Sequence, residues 1–138
     1  MRKYILGIDG GGTKTHCSVF NLDGEPVDFI SWGKTNHECL KGSYSELKEE
    51  LGKLFTYVFD KNSITADELG KCVFGLAGVD TKRQHGIISK IISDLGIKDF
   101  NLCNDVLKSP PVAGAVLWAL EENGCKRHSR EKVLNAFM

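Results

Sequence analysis

The sequence predicts an α/β domain built on a mixed five-stranded sheet. Three observations carry that prediction. Two β-like runs are joined by Asp23-Gly24, a dipeptide suited to a hairpin turn. A glycine-rich turn at residues 10–12 separates an earlier β-like run from this pair. Two segments with apolar residues at helical spacing then follow, each succeeded by a short apolar run. The order is β-β-β-α-β-α-β: an antiparallel meander first, then strands reached through helical crossovers.

The elements follow in order. Residues 4–9 form a short apolar run that ends in Asp9. Residues 15–22 alternate, with Thr15, Cys17 and Val19 on one side and His16, Ser18 and Phe20 on the other. A third strand runs from Pro26 to Trp32, followed by a polar loop from Gly33 to Gly42. Ser43 is the expected N-cap of a helix over 44–59, with Glu46 completing a capping box and Leu47, Leu51, Leu54, Phe55 and Val58 forming its apolar stripe. Thr65 to Glu68 opens a short helical turn. Cys72 to Ala77 is nearly all apolar, as in a strand buried on both faces. Thr81 caps a second helix over 81–95, bearing Ile87, Ile88, Ile91, Ile92 and Leu95, and Gly96 takes the position after its end. Phe100 to Asn104 is the last short strand. Beyond Asp105, Ser109-Pro110-Pro111 breaks the pattern, and Val112, Ala115, Val116, Ala119 and Leu120 mark a further amphipathic helix. The expected organisation is one domain over 1–124, with a core over 1–105 and a closing helix over 109–124. A polar, partly ordered tail covers 125–138.

Composition narrows the function classes. The chain has 138 residues, 41% hydrophobic and 26% charged, with 18 Lys+Arg balancing 18 Asp+Glu. Zero net charge argues against nucleic-acid binding through a general basic field. No apolar run approaches the roughly 20 residues of a membrane span, and the opening apolar run meets Asp9 too soon for a signal peptide. Neither a membrane nor a nucleic acid is therefore an expected partner. The five cysteines are odd in number and form no CxxC pair, so they read as reduced thiols of a cytoplasmic protein. The four histidines have no ligand spacing.

Four segments bear chemistry. In Asp9-Gly10-Gly11-Gly12-Thr13-Lys14-Thr15, consecutive glycines let backbone N–H groups approach an anion, and Thr13, Lys14 and Thr15 add hydroxyls and a charge. It is not a P-loop, because Gly12 is followed by Thr13 and then a strand, and it lacks the third glycine of a dinucleotide fingerprint. A tight hairpin turn without a ligand is the alternative. Gly75-Leu76-Ala77-Gly78-Val79-Asp80 ends a strand where ligands of open α/β sheets gather, or else simply caps the next helix. Asn104-Asp105 ends another strand. A carboxylate there suits a general base toward a hydroxyl, or an Asx-type cap. Asn36, within Thr35-Asn36-His37, offers a donor and an acceptor suited to sugar hydroxyls.

Together, in this order, these segments resemble the N-acetylglucosamine kinase branch of the actin/hexokinase/Hsp70 superfamily, a grouping that includes the BadF/BadG-type ATPases. The resemblance covers residues 3–105 and implies a ribonuclease H-like (actin-like ATPase) lobe. It implies ATP and Mg2+ as cofactors and an amino sugar as acceptor. Asp9 is implied to hold magnesium through water, and Gly11, Gly12, Thr13 and Lys14 to line the nucleotide phosphates. Asn36 is implied to touch the sugar, with Gly78 and Asp80 near the cleft and Asp105 as the base. Family members carry two such lobes, with a second phosphate turn and an adenosine pocket on the other. The 33 residues after Asp105 contain no glycine cluster, and Ser109 to Leu120 resembles the family's closing helix. The resemblance thus implies one lobe joined to its closing helix, with the second lobe removed between about residues 105 and 109. Such a chain is expected to lack turnover and to pair as a homodimer. A lobe of a BadF-type dehydratase activator and a non-catalytic self-associating module are the other readings.

Overall fold

The computed structural model describes residues 2–104. Five strands form one sheet: β1 (Tyr4–Gly10), β2 (Thr15–Asn21), β3 (Pro26–Trp32), β4 (Cys72–Leu76) and β5 (Phe100–Cys103). Their order is β3-β2-β1-β4-β5. The β1–β2 and β2–β3 pairs are antiparallel, whereas β1–β4 and β4–β5 are parallel. The predicted meander and crossovers are therefore both present. Asp105, the closing helix over 109–124 and the tail over 125–138 lie outside the described residues.

The β2–β3 turn forms as its sequence dictates. Gly24 adopts φ 85°, and the Asn21 side-chain oxygen accepts from the N–H groups of Asp23 and Glu25 at 3.0 and 2.9 Å. The β2–β3 register shifts between Val19 and Phe20, just before this turn.

Helix α1 spans Ser43–Asn62 and α2 spans Lys82–Asp94. The start of α1 corrects the expected cap. Ser43 has φ 51°, so it cannot take the extended conformation of an N-cap, and Gly42 occupies that position. Glu46 still reaches back, its carboxylate accepting from the Gly42 N–H at 3.2 Å. The helix also runs a turn past residue 59, because Val58 and the Asn62 side chain continue its contacts; it stops at Ser63, in the left-handed region at φ 54°. The cap of α2 is as predicted: the Thr81 hydroxyl accepts from Gln84 N–H at 3.2 Å while Gln84 Oε1 accepts from Thr81 N–H at 2.9 Å. Gly96, at φ 104°, follows the helix end as expected.

One cluster forms the core. Leu47, Leu51, Leu54 and Phe55 of α1 meet Ile88 and Ile92 of α2 and the Leu6, Ile8, Val19 and Phe74 side of the sheet. Phe74 lies edge-on to both Phe55 and Phe100, at 5.9 and 5.8 Å between centroids. Each fully buried Leu, Ile or Phe contributes about 1.5–3 kcal/mol. Every residue of β4 is buried, which accounts for its continuous apolar sequence. Cys17 and Cys72 are packed in this interior as small apolar side chains, whereas Cys39 is exposed and Cys103 half-buried. Burial pushes the Cys72 thiol up to about 12, and burial likewise raises Cys17, so neither ionises at neutral pH.

Asp28 ties the edge strand β3 to the end of α1. Its carboxylate accepts from Lys61 Nζ and Asn62 Nδ2, each at 3.1 Å, and from Phe29 N–H at 2.9 Å. Burial disfavours its ionised form. The Asn62 and Lys61 hydrogen bonds, the Lys61 charge and the Phe29 N–H outweigh burial and hold the carboxyl below its ordinary value. A carboxyl lowered by folding stabilises above its unfolded pKa, and that contribution fades as pH falls through the folded one. Asp28→Asn should therefore be less stable at neutral pH and lose less stability than wild type between about pH 4 and pH 2. Urea midpoints across that range check this; parallel acid limbs would refute it. Ser63→Gly relieves the left-handed strain and should raise stability by about 0.5–1 kcal/mol in the same measurement.

Candidate active site

The three parallel strands end at one edge of the sheet. Gly10 pairs with Leu76, and Gly75 pairs with Cys103, so the segments leaving β1, β4 and β5 emerge side by side. Asp9, half-buried near the end of β1, stands in register with Gly75.

The glycine-rich segment is a four-residue loop between Gly10 and Thr15, which face each other across the β1–β2 ladder. Its first closure is the Gly11 N–H to the Lys14 carbonyl, 3.0 Å. Gly11 therefore offers close approach rather than a free donor, while Thr13 and Lys14 are exposed at the tip. The Gly10 carbonyl accepts from Ala77 N–H at 2.9 Å, fixing the loop to the end of β4.

Thr15 departs from the sequence reading. It is fully buried, and its hydroxyl donates to the Gly33 carbonyl at 2.7 Å. A hydroxyl has one proton, so the 2.6 Å contact between Thr15 and Thr35 must have Thr35 as donor. Thr15 is thus a structural residue and leaves no hydroxyl for an anion. Thr35 stood in the sequence motif only beside Asn36, with no role of its own, yet it anchors the 33–39 loop. Its N–H donates to the Gly11 carbonyl at 3.2 Å, and its hydroxyl sits where a side chain at Gly10 would begin: a Cβ there would lie 2.0 Å from Thr35 Oγ1 and 2.6 Å from Leu76 Cδ2. Gly12 is similarly approached by Cys39, whose Sγ would lie 2.9 Å from an added Cβ.

The same loop packs on the β4–α2 turn. Gly78 has φ 93°, and a Cβ there would lie 2.6 Å from Asn36 Oδ1 and 2.9 Å from His37 Cε1. Asn36 Oδ1 accepts from Glu38 N–H at 3.0 Å, capping a short 3₁₀ turn over His37–Cys39. Its Oδ1 therefore serves the cap, and its carboxamide N–H groups meet no acceptor among the described residues. His37 is buried and stacked on Tyr44 at 4.3 Å. On the β5 side, the exposed Asp80 accepts from Asn104 Nδ2 at 2.8 Å, and Thr81, not Asp80, caps α2. A pocket of about 310 Å³ opens there, lined by Asp80, Lys82, His85, Cys103 and Asn104.

Of the predicted site residues, Asp9, Gly11, Gly12, Thr13, Lys14, Asn36, Gly78 and Asp80 thus share one end of the sheet; Asp105 lies outside the described residues. The glycines have separable roles. Gly10→Ala must displace the Thr35 hydroxyl and should cost about 1–3 kcal/mol in urea unfolding. Gly11→Ala meets only the Lys14 carbonyl at 3.5 Å, an ordinary contact, and should change stability by less than about 1 kcal/mol. Equal losses from the two variants would contradict this division.

No family model matches the sequence. The chain is 32% identical over 94 residues to an N-acetylmuramic acid/N-acetylglucosamine kinase of Clostridium acetobutylicum, covering 68% of this chain and 30% of that protein. Its fold matches a solved structure from Chromobacterium violaceum, provisionally assigned as an N-acetylglucosamine kinase, with a TM-score of 0.57 and 22% identity over 75% of this chain and 35% of that one. That match places the mixed sheet and its two helices in the expected ribonuclease H-like architecture. In sequence the chain is similar to an N-acetylmuramic acid/N-acetylglucosamine kinase and in fold to a sugar-kinase structure, over a segment spanning about a third of those relatives' length.

Proposed function

We propose that this chain provides the phosphate-holding lobe of an ATP-dependent amino-sugar kinase. The observation that carries the reading is the convergence of the glycine loop, the 35–37 loop and the 77–80 turn on one end of the sheet. In this reading Gly11, Gly12, Thr13 and Lys14 line the nucleotide phosphates. Gly11 and Gly12 allow close approach, and Lys14 brings charge. The Asn36 carboxamide donates to a hydroxyl or carbonyl of the sugar, while Gly78 and Asp80 border the cleft. Asp105 takes the proton of the acceptor hydroxyl.

The cation fits a sparse donor set. Among the described residues, no group of three or more His, Cys, Asp or Glu side chains gathers to hold a metal. Magnesium in phosphoryl transfer uses one or two carboxylates with phosphate oxygens and water, which a single Asp9 satisfies. When bound, Mg2+ neutralises charge on the phosphates. The protein's own contribution is position, set by backbone groups on rigid strand ends.

The described donors approach the phosphates from one side, and the chain spans 30% of its curated relative. We therefore assign the isolated chain weak nucleotide binding and no turnover. Calorimetry with Mg-ATP should give a Kd no tighter than about millimolar, near 4 kcal/mol, and Asp9→Asn should remove the magnesium-dependent part. A coupled assay with N-acetylglucosamine should show no phosphorylation. Turnover by the pure protein that vanishes in Asp105→Asn would refute the assignment of inactivity.

A further inference from the structure

The short turn that carries Asn36 is held by an aromatic ring. His37 is 6% exposed, and its imidazole stacks on the Tyr44 ring with centroids 4.3 Å apart and 14° between planes. Tyr44 lies in the first turn of α1 and packs against the main interior cluster, so the stack ties the 33–39 loop to the core. The edge of the imidazole meets Gly78, where an added Cβ would lie 2.9 Å from His37 Cε1 and 3.0 Å from Nδ1. Nδ1 is buried and meets no hydrogen-bond partner among the described residues. The ring is therefore placed by stacking and shape, with no hydrogen bond through this nitrogen. The neighbouring Asn36 is fixed within the same turn. Its Oδ1 accepts from Glu38 N–H at 3.0 Å, and its backbone carbonyl accepts from Cys39 N–H at 2.9 Å. Oδ1 also lies 2.6 Å from the Cβ that Gly78 lacks. A backbone N–H only donates, so the carboxamide oxygen faces Glu38 and the nitrogen is turned away from it.

We propose that His37, clamped between Tyr44 and Gly78, is a positioning residue that sets the direction of the Asn36 amide donors. The shape of the ring does this, and its nitrogens do not. The functional meaning rests on the kinase reading, in which those donors meet the amino sugar. His37 touches no reacting group in that reading and acts only through Asn36. The route runs from the core through Tyr44 to His37 and on to Asn36, so a ring on α1 governs a contact at the strand ends.

Nuclear magnetic resonance on the 138-residue chain tests this without requiring turnover. Hydrogen exchange of the Glu38 amide reports the Asn36 cap. It should quicken about tenfold in His37→Ala and in Tyr44→Ala, while the Leu51 and Leu54 amides stay within about twofold of wild type. Tyr44→Phe keeps the ring and should exchange like wild type. His37→Gln keeps polar atoms without a ring and should exchange like His37→Ala. Wild-type exchange in either alanine variant, quickening at Leu51 and Leu54 equal to that at Glu38, lost protection in Tyr44→Phe, or rescue by Gln would each overturn the proposal. Titration with N-acetylglucosamine, followed at the Asn36 carboxamide, separates positioning from stability. Its Kd should weaken about tenfold in His37→Ala and hold in Tyr44→Phe. An unchanged Kd in His37→Ala overturns the positioning role. No sugar-induced shift in wild type, with the exchange results as expected, overturns the kinase reading and leaves the anchoring of Asn36 standing.

Discussion

The absence of a side chain at Gly10 is the constraint on which the functional end of this lobe depends. Thr35 Oγ1 occupies the position where a Cβ would begin, 2.0 Å away. That approach lets the Thr35 hydroxyl donate to Thr15, and Thr15 in turn donate to Gly33, in a buried chain of two hydrogen bonds. Both hydroxyls are fully enclosed, so each bond avoids the cost of about 1–3 kcal/mol for an unsatisfied buried polar group. The chain fastens the long loop after β3 to the first hairpin. Everything else at the strand ends is arranged around this junction: the Gly11 carbonyl receives Thr35 N–H, the Gly10 carbonyl receives Ala77 N–H, and the loop continues to press Asn36 and His37 against Gly78.

Glycines therefore serve two purposes within three residues. Gly10 is a packing glycine, required by a neighbour. Gly11 meets no tight contact, and its small size keeps the loop surface open beside the exposed Thr13 and Lys14. Gly78 combines both purposes, since its φ of 93° strains any other residue and the 36–37 loop leaves no room for one. A run of glycines in sequence does not distinguish these roles, because the distinguishing atoms come from Thr35, Cys39 and Asn36 elsewhere in the chain.

That difference describes how far the sequence was readable. The sheet was legible because its information is local: period-two alternation, the Asp23-Gly24 turn, and helical stripes ending at Gly96. Thr81 was legible as a cap because its partner, Gln84, is three residues away. Ser43 was misread for the opposite reason. Its backbone conformation is set by the turn entering α1, and the residue type alone favours a cap that the φ of 51° forbids. Thr15 was misread because its partners are 18 and 20 residues distant. The same distance hid the anchoring role of Thr35, which exists only once Gly10 has been brought beside it.

The saturation of these local bonds bears on how the lobe meets a ligand. Gly11 N–H is committed to Lys14, Asn36 Oδ1 to Glu38, the Thr15 and Thr35 hydroxyls to one another, and an Asp80 oxygen to Asn104. Groups used in this way position their neighbours and contribute no new bond to a phosphate or a sugar. What is left among the described residues, the Lys14 ammonium, the Asn36 amide protons, half-buried Gly12 and exposed Thr13, is a small set borne on a rigid frame. Rigidity lowers the entropy lost on binding, but a single exposed ammonium is screened by water and salt. Such a surface selects the orientation of a bound anion better than it retains one. Strong retention of an anion then requires donors from a further direction.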